Sequence, residues 1–186
     1  MCSSDLWWHE HSSESFAFSV RDYAGAIVPP LRELDVRILV EPGRFLVGNG
    51  GVLLTRVRYI KKTGAKKFAI VDAGMNDLIR PALYQSYHEI VPVAESNKTK
   101  STEMIDIVGP VCESGDFFAL AREMPELHEG DLLAIMSAGA YGFVMASNYN
   151  SRPLPAEALV RGDQFALIRK RQTWQDLVRW DVDANW

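Results

Sequence analysis

The chain has 186 residues, enough for one large domain or for one domain and part of another. Its 47% hydrophobic and 24% charged residues are typical of a globular protein, and a net charge of −4 argues against nucleic acid as a partner. No apolar run approaches the roughly 20 residues that span a bilayer, which argues against a membrane protein. Two cysteines and the lack of a signal-peptide pattern favour the reducing cytoplasm.

The first part of the chain combines an unmatched tail with one predicted helix. Residues 1–18 have no usable period and begin like a translated sequencing adapter; the alternative is a natural disordered tail. From Ser19, apolar residues recur at steps of three and four as far as Leu31, which predicts an amphipathic helix capped by Ser19. The pair Pro29-Pro30 is expected to end or kink it.

The remainder alternates short β-like runs with glycine and proline. Val36–Val40 is predicted to be a strand leading into Glu41-Pro42-Gly43-Arg44, and Val52–Lys62 with Lys67–Asp72 to be a hairpin. Further strands are expected at His88–Val93, Glu103–Val108, Leu132–Met136, Ala156–Val160 and Phe165–Arg169. Short helices are expected at Gly142–Tyr149 and Thr173–Val178. This spacing predicts an all-β sandwich or barrel.

The loop Glu41-Pro42-Gly43-Arg44 has the groups that a phosphate needs. Gly43 offers a bare backbone N–H, and Arg44 offers a fixed cation that can bind an oxyanion through two nitrogens. The alternative is a Pro-Gly turn with an exposed arginine.

Two further segments carry charged or reactive groups. Arg80 and Tyr84 are four residues apart and would share one face of a helix; the alternative is a surface ion pair of Arg80 with Asp77. Cys112-Glu113 lies in a glycine-containing loop, where a thiol beside cations can donate a proton. The alternative for Cys112 is inert packing in the core.

Tyr141 lies between Ala140 and Gly142, where the slim backbone allows close approach to a ligand. The alternative is an aromatic core residue. The four histidines form no cluster with metal-ligand spacing, so no metal site is predicted.

The order and spacing of these motifs resemble the C-terminal part of the diaminopimelate decarboxylases. These belong to the ornithine/diaminopimelate/arginine decarboxylases with an alanine-racemase-like fold. The resemblance runs from about Ser19 to about Val178. It implies a mainly β fold, with an alanine-racemase-like β-barrel or sandwich over residues 48–178. Residues 19–47 would be the last helix and strand of a (β/α)₈ barrel, and residues 179–186 a frayed tail.

The resemblance also implies an activity: conversion of meso-diaminopimelate to L-lysine and CO₂ with pyridoxal 5'-phosphate (PLP). Cys112 would protonate the carbanion left after CO₂ departs. The cofactor would contact Glu41, Pro42, Gly43, Arg44 and Tyr141. The substrate would be bound by Arg44, Arg80, Tyr84, Glu113 and Tyr141. Family members are homodimers in which Cys112 and Glu113 would reach the partner's cofactor.

No lysine in the sequence matches the one that holds PLP covalently in that family, so the chain is expected to be an inactive fragment when alone. Two alternatives stay open. One is a related ornithine- or arginine-type decarboxylase, against which Glu113 argues because those relatives generally carry Asp after the Cys. The other is a non-catalytic β-module.

Overall fold

The computed structural model describes residues 19–64, 66–94, 101–184 and 186; the tail expected over residues 1–18 lies outside them. Helix α1 (Val20–Arg32) is capped by Ser19, as predicted. The cap is a capping box, because Asp22 N donates to Ser19 Oγ and Ser19 N donates to the Asp22 carboxylate. The expected end at Pro29-Pro30 is wrong. Both prolines lie in the last turn of the helix. They leave the carbonyls of Gly25 and Ala26 without helical donors, and both of these residues are exposed.

The strand expected at Val36–Val40 does not form. This segment has no regular secondary structure, and the apolar side chains of Val36, Ile38 and Val40 are exposed. An extended segment becomes a strand only when neighbouring backbone groups pair with it, and no described strand pairs with this one.

Six strands form one sheet: β1 (Leu53–Thr63), β2 (Lys66–Val71), β3 (Ile90–Pro92), β4 (Thr102–Val108), β5 (Phe117–Pro125) and β6 (Leu132–Ile135). Their order in the sheet is β3-β6-β1-β2-β4-β5, and the predicted hairpin is β1 with β2. All neighbouring pairs are antiparallel except β2 with β4.

The sheet curls into a nearly closed barrel around an apolar core. Val57, Val71, Ile107 and Leu133, from four different strands, are almost fully buried in that core. The two outer strands are tied together by Arg122 of β5, whose Nη1 donates to the carbonyl of His88, just before β3. The mainly β fold expected from the resemblance is therefore confirmed.

Strand β5 was not predicted. Its sequence, Phe-Phe-Ala-Leu-Ala-Arg-Glu-Met-Pro, is rich in residues that favour helices and lacks regular alternation of buried and exposed positions. A bulge explains the lost alternation: the pairing with β4 shifts register, and Ala121 has a φ of 46°. Asp106 stabilises this bulge by accepting a hydrogen bond from Ala121 N at 2.6 Å.

The C-terminal part forms a separate two-stranded sheet. Strands β7 (Glu157–Arg161) and β8 (Gln164–Arg169) pair as a hairpin, and nearly all their side chains are exposed, including Phe165 at 80%. The predicted final helix is present as α4 (Trp174–Val178). The helix expected at Gly142–Tyr149 is reduced to short 3₁₀ turns at Phe143–Met145 and Tyr149–Ser151. Among the described helices, none has both the length and the apolar character needed to cross a membrane.

Candidate active site

The Glu41–Arg44 loop leads into a short helix, α2 (Gly43–Val47), and only Arg44 of the four residues is buried, with 8% of its surface exposed. Gly43 lies against the phenol of Tyr141: a β-carbon added to Gly43 would be 3.3 Å from Tyr141 Oη. The loop and Tyr141 are thus brought together. The alternative of a turn with an exposed arginine does not describe Arg44.

Tyr141 belongs to a loop that is joined backbone to backbone with the segment after α2. Ala138 N donates to Gly51 O at 2.8 Å, and Gly139 N donates to Gly48 O at 3.0 Å. A side chain on Gly139 would overlap Val47 O, so only glycine permits this approach. Tyr141 has a φ of 56° and is 38% exposed, so it is not a core residue. These contacts hold the Tyr141 loop against the segment between α2 and β1.

Helix α3 (Arg80–Tyr84) holds Arg80 and Tyr84 on one face, as predicted. The Arg80 Cζ atom is 5.5 Å from the centroid of the Tyr84 ring and 5.8 Å from that of Tyr141. We call these three residues the arginine–phenol cluster. The guanidinium is buried; its Nη2 donates to Ser86 Oγ at 3.2 Å, and its Nε has no hydrogen-bond partner among the described residues.

The alternative ion pair between Arg80 and Asp77 is not what the structure shows. Asp77 instead lies 3.7 Å from Arg152 Nη2 and accepts a hydrogen bond from Gly74 N. Burial raises the pKa of Asp77, although Arg152 opposes that shift. Arg152 also donates to Asn76 Oδ1 and to the Asp72 carbonyl, so it fixes the loop that leads into α3.

Cys112 and Glu113 lie in the loop between β4 and β5, and both are exposed. The alternative of a buried Cys112 is therefore wrong. Glu113 Oε2 accepts a hydrogen bond from Tyr149 Oη at 3.2 Å. This bond raises the pKa of Tyr149 because it stabilises the protonated phenol beside a carboxylate. The loop packs near α3 through Gly115, where an added β-carbon would be 3.7 Å from Ala82 Cβ.

His88 is fully buried and was not predicted as a site residue. Its Nδ1 is 2.8 Å from the Met136 carbonyl, which can only accept, so Nδ1 carries the proton. Its Nε2 has no hydrogen-bond partner among the described residues. Burial lowers the pKa of His88, and the nearby charges of Arg80, Arg44 and Arg122 lower it further. His88 is therefore a neutral side chain near the two arginines of the candidate site.

Sequence reasoning also missed the side chains that support the site. These are Arg152 and Asn76, which hold the loop before α3, and Tyr149, which donates to Glu113. A polar residue beside a predicted loop was the available signal. A cavity of about 330 Å³ lies elsewhere, lined partly by Thr55, Arg152 and Arg171, and it includes none of the predicted site residues. Within the described residues, no group of acidic, His or Cys side chains could hold a metal.

Comparison with known proteins identifies the family. The family described as pyridoxal-dependent decarboxylase, C-terminal sheet domain, matches residues 15–139. Diaminopimelate decarboxylase from Pseudomonas fluorescens is 54% identical over 158 residues, which cover 85% of this chain and 37% of that protein. The diaminopimelate decarboxylase from Aquifex aeolicus is 48% identical over 163 residues, covering 88% of this chain and 38% of that protein.

A solved structure gives the same result. The crystal structure of diaminopimelate decarboxylase from Helicobacter pylori complexed with L-lysine has a TM-score of 0.79 at 43% identity, covering 93% of this chain and 41% of that one. This chain therefore spans less than half the length of the relatives it matches. From its sequence match and its fold, the chain belongs to the pyridoxal-dependent decarboxylase family, as its C-terminal sheet domain.

Proposed function

We propose that this chain supplies the C-terminal sheet domain of a diaminopimelate decarboxylase, which converts meso-diaminopimelate to L-lysine and CO₂ in the cytoplasm. Residues 48–178 would form that domain, residues 19–47 would complete a neighbouring barrel, and residues 179–186 would be a terminal tail. The observation that carries the proposal is the arginine–phenol cluster, with Gly43 beside Tyr141. The names of the relatives support the choice of substrate.

The residues present fit one wall of a PLP site. Gly43 and Tyr141 are in contact, and the slim backbone of Gly43 leaves room beside the phenol. Bound PLP would accept the electron pair released when the carboxylate leaves as CO₂. Arg44 would bind its phosphate or the reacting carboxylate, Glu41 and Pro42 would border it, and Tyr141 would donate a hydrogen bond from Oη.

The arginine–phenol cluster suits the distal carboxylate of the substrate. Arg80 is held against two rings, and its buried Nε has no hydrogen-bond partner in the described part of the chain, so a carboxylate there would gain a charge-assisted hydrogen bond. Tyr84 would add a phenol donor. Glu113 would bind the distal ammonium, and Cys112 would hold at Sγ the proton that replaces CO₂.

We propose that Cys112 and Glu113 serve the site of a partner subunit in a homodimer. Within one chain, Glu113 is bonded to Tyr149 and both loop residues are exposed, which suits groups that project from the surface. The lysine that holds PLP would come from the part of the relatives' length that this chain does not span. Of the described lysines, Lys66 and Lys67 are paired with Asp106 and Glu103.

The test is a chimera in which residues 19–178 replace the matching segment of the Pseudomonas fluorescens enzyme. We expect the PLP-loaded chimera to form lysine from meso-diaminopimelate, measured by amino-acid analysis and CO₂ release. Decarboxylation of ornithine or arginine instead would support the related decarboxylase. A folded, PLP-loaded chimera that acts on none of these would support the non-catalytic module.

A further inference from the structure

Asp116, the last residue of the loop that carries Cys112 and Glu113, has no role in the proposed chemistry. Its side chain is nevertheless buried, with 5% of the residue exposed, and both of its oxygens accept backbone hydrogen bonds. Oδ1 accepts from Met75 N at 2.7 Å, and Oδ2 accepts from Val111 N at 2.5 Å. Burying a carboxylate costs free energy unless hydrogen-bond donors replace the lost water, and here two backbone amides supply those donors.

The two donors belong to different loops. Met75 lies in the loop that leads from β2 into α3 and therefore to Arg80 and Tyr84. Val111 directly precedes Cys112 in the loop between β4 and β5. One carboxylate thus bridges the segment that places the arginine–phenol cluster and the segment that places Cys112 and Glu113.

The surrounding backbone leaves little freedom for Asp116. Gly109 N donates to the Asp116 carbonyl at 3.0 Å, which closes the loop, and a β-carbon on Gly109 would overlap the carboxylate. A β-carbon on Gly74 would lie 3.4 Å from Asp116 Oδ1 and 2.8 Å from Asn76 Oδ1. Burial raises the pKa of Asp116, whereas the two backbone donors oppose that shift.

We propose that Asp116 is a positioning residue that locks the Cys112–Glu113 loop to the loop preceding Arg80. The inference rests on the proposed function for its catalytic consequence, but the lock itself is a property of this chain. If Cys112 and Glu113 serve the partner's site, Asp116 also joins the substrate-binding residues of one site to the groups that the same subunit supplies to the other.

The first experiment measures amide hydrogen exchange by NMR in the full chain. Asp116→Asn keeps the size of the side chain but replaces one acceptor oxygen by an NH₂ group, so it cannot accept from both backbone donors. We expect exchange at Met75 N or Val111 N to accelerate about tenfold or more, as for the loss of a buried hydrogen bond. Unchanged exchange at both amides would overturn the proposal.

Asp106→Asn is the matched control. Asp106 is equally buried and also accepts a backbone hydrogen bond, from Ala121 N, but it lies within β4 away from both loops. This variant should leave exchange at Met75 and Val111 unchanged, and an equal effect would contradict the proposal. If Asp116→Asn does not fold, Asp116→Ser replaces it. Unfolding of both, with Asp106→Asn folded, would assign Asp116 to global stability and overturn the lock.

The second experiment uses the active chimera and separates positioning from general destabilisation. We expect Asp116→Asn to lower kcat about tenfold, and Cys112→Ala to cost much less in that background than in the parent, because a misplaced thiol has less to lose. Additive losses would contradict positioning. A chimera inactive with all residues intact would refute the proposed function, while hydrogen exchange would still decide whether the lock exists.

Discussion

Arg80 shows how the environment of one side chain selects its ligand. Its guanidinium is enclosed by the rings of Tyr84 and Tyr141, and Nη2 is already bonded to Ser86. The rings favour the cation without offering it a strong acceptor, and no residue that the structure describes accepts a hydrogen bond from Nε. Since a buried donor without an acceptor is costly, a bound carboxylate would gain more here than at an exposed arginine.

The proposed role of Glu113 predicts a loss that depends on the substrate. Glu113 is exposed in the single chain but would be buried in the partner's site. Breaking a buried charge-assisted hydrogen bond costs on the order of 2–5 kcal/mol, so Glu113→Ala in the chimera should lower kcat/KM for meso-diaminopimelate ~30-fold or more. The loss should be much smaller for 2-aminopimelate, which lacks the distal amino group. Steady-state kinetics with both substrates measures it, and equal losses would make Glu113 structural.

Cys112 should act on the rate rather than on substrate binding. As a proton donor it acts in the transition state, so Cys112→Ala should lower kcat by about 100-fold while KM changes little. Cys112→Ser keeps a weaker proton donor, so its kcat should lie between those of the parent and of Cys112→Ala. If kcat stays unchanged in Cys112→Ala, the exposed thiol has no catalytic role.

His88 predicts a pH dependence of stability. Its pKa is lowered by burial and by Arg80, Arg44 and Arg122, so below its ordinary value of 6.5 the unfolded chain binds a proton that the folded chain does not. The free energy of unfolding should therefore fall as pH decreases from about 6.5, by at most about 1.4 kcal/mol per pH unit for one proton.

His88→Asn should flatten this slope, because asparagine can still donate to the Met136 carbonyl but does not titrate. Urea denaturation at several pH values measures the effect. His128→Asn, which changes an exposed histidine, is the matched control. An equal flattening in both variants would contradict the assignment to His88.

At the scale of elements, sequence reasoning succeeded where the signal was local. The capping box at Ser19 and the hairpin around Thr63-Gly64 depend on neighbouring residues, and both are present. It failed where pairing between strands decides the secondary structure. Val36–Val40 has the composition of a strand but no partner among the described strands. Strand β5 has the composition of a helix but is held as a strand by β4. The sequence motifs identify candidate site residues whose roles stay predictions, whereas the bridge formed by Asp116 depends on contacts between distant segments.

Where the Tyr141 loop meets the segment after α2, the size of a side chain should strongly affect the stability of the fold. A methyl group on Gly139 would overlap Val47 O and displace one of the two backbones, so Gly139→Ala should lower the free energy of unfolding by about 1–3 kcal/mol. Gly50→Ala is the control, because a β-carbon there has no neighbour within 4 Å. Urea denaturation compares them, and equal losses would contradict the close approach.

At the scale of the whole molecule, the chain holds the proposed substrate-binding groups, but none of its described lysines is expected to match the lysine that binds PLP covalently in the family. Mixed with PLP, the chain alone should therefore show no near-ultraviolet or visible absorption of a lysine–PLP imine. Borohydride reduction followed by mass spectrometry should find no specific adduct, whereas the chimera should give one. A single modified lysine in the chain alone, with turnover of meso-diaminopimelate, would contradict this.

The link from Arg122 to the His88 carbonyl has a consequence for self-association. It joins the two border strands of the six-stranded sheet through one side-chain hydrogen bond, which hinders an incoming chain from pairing with either border. The β7–β8 hairpin has no such closure and displays Val160 and Phe165 to water. At high concentration, intermolecular β-aggregation should therefore begin at this hairpin, and a charged residue in place of Phe165 should delay it.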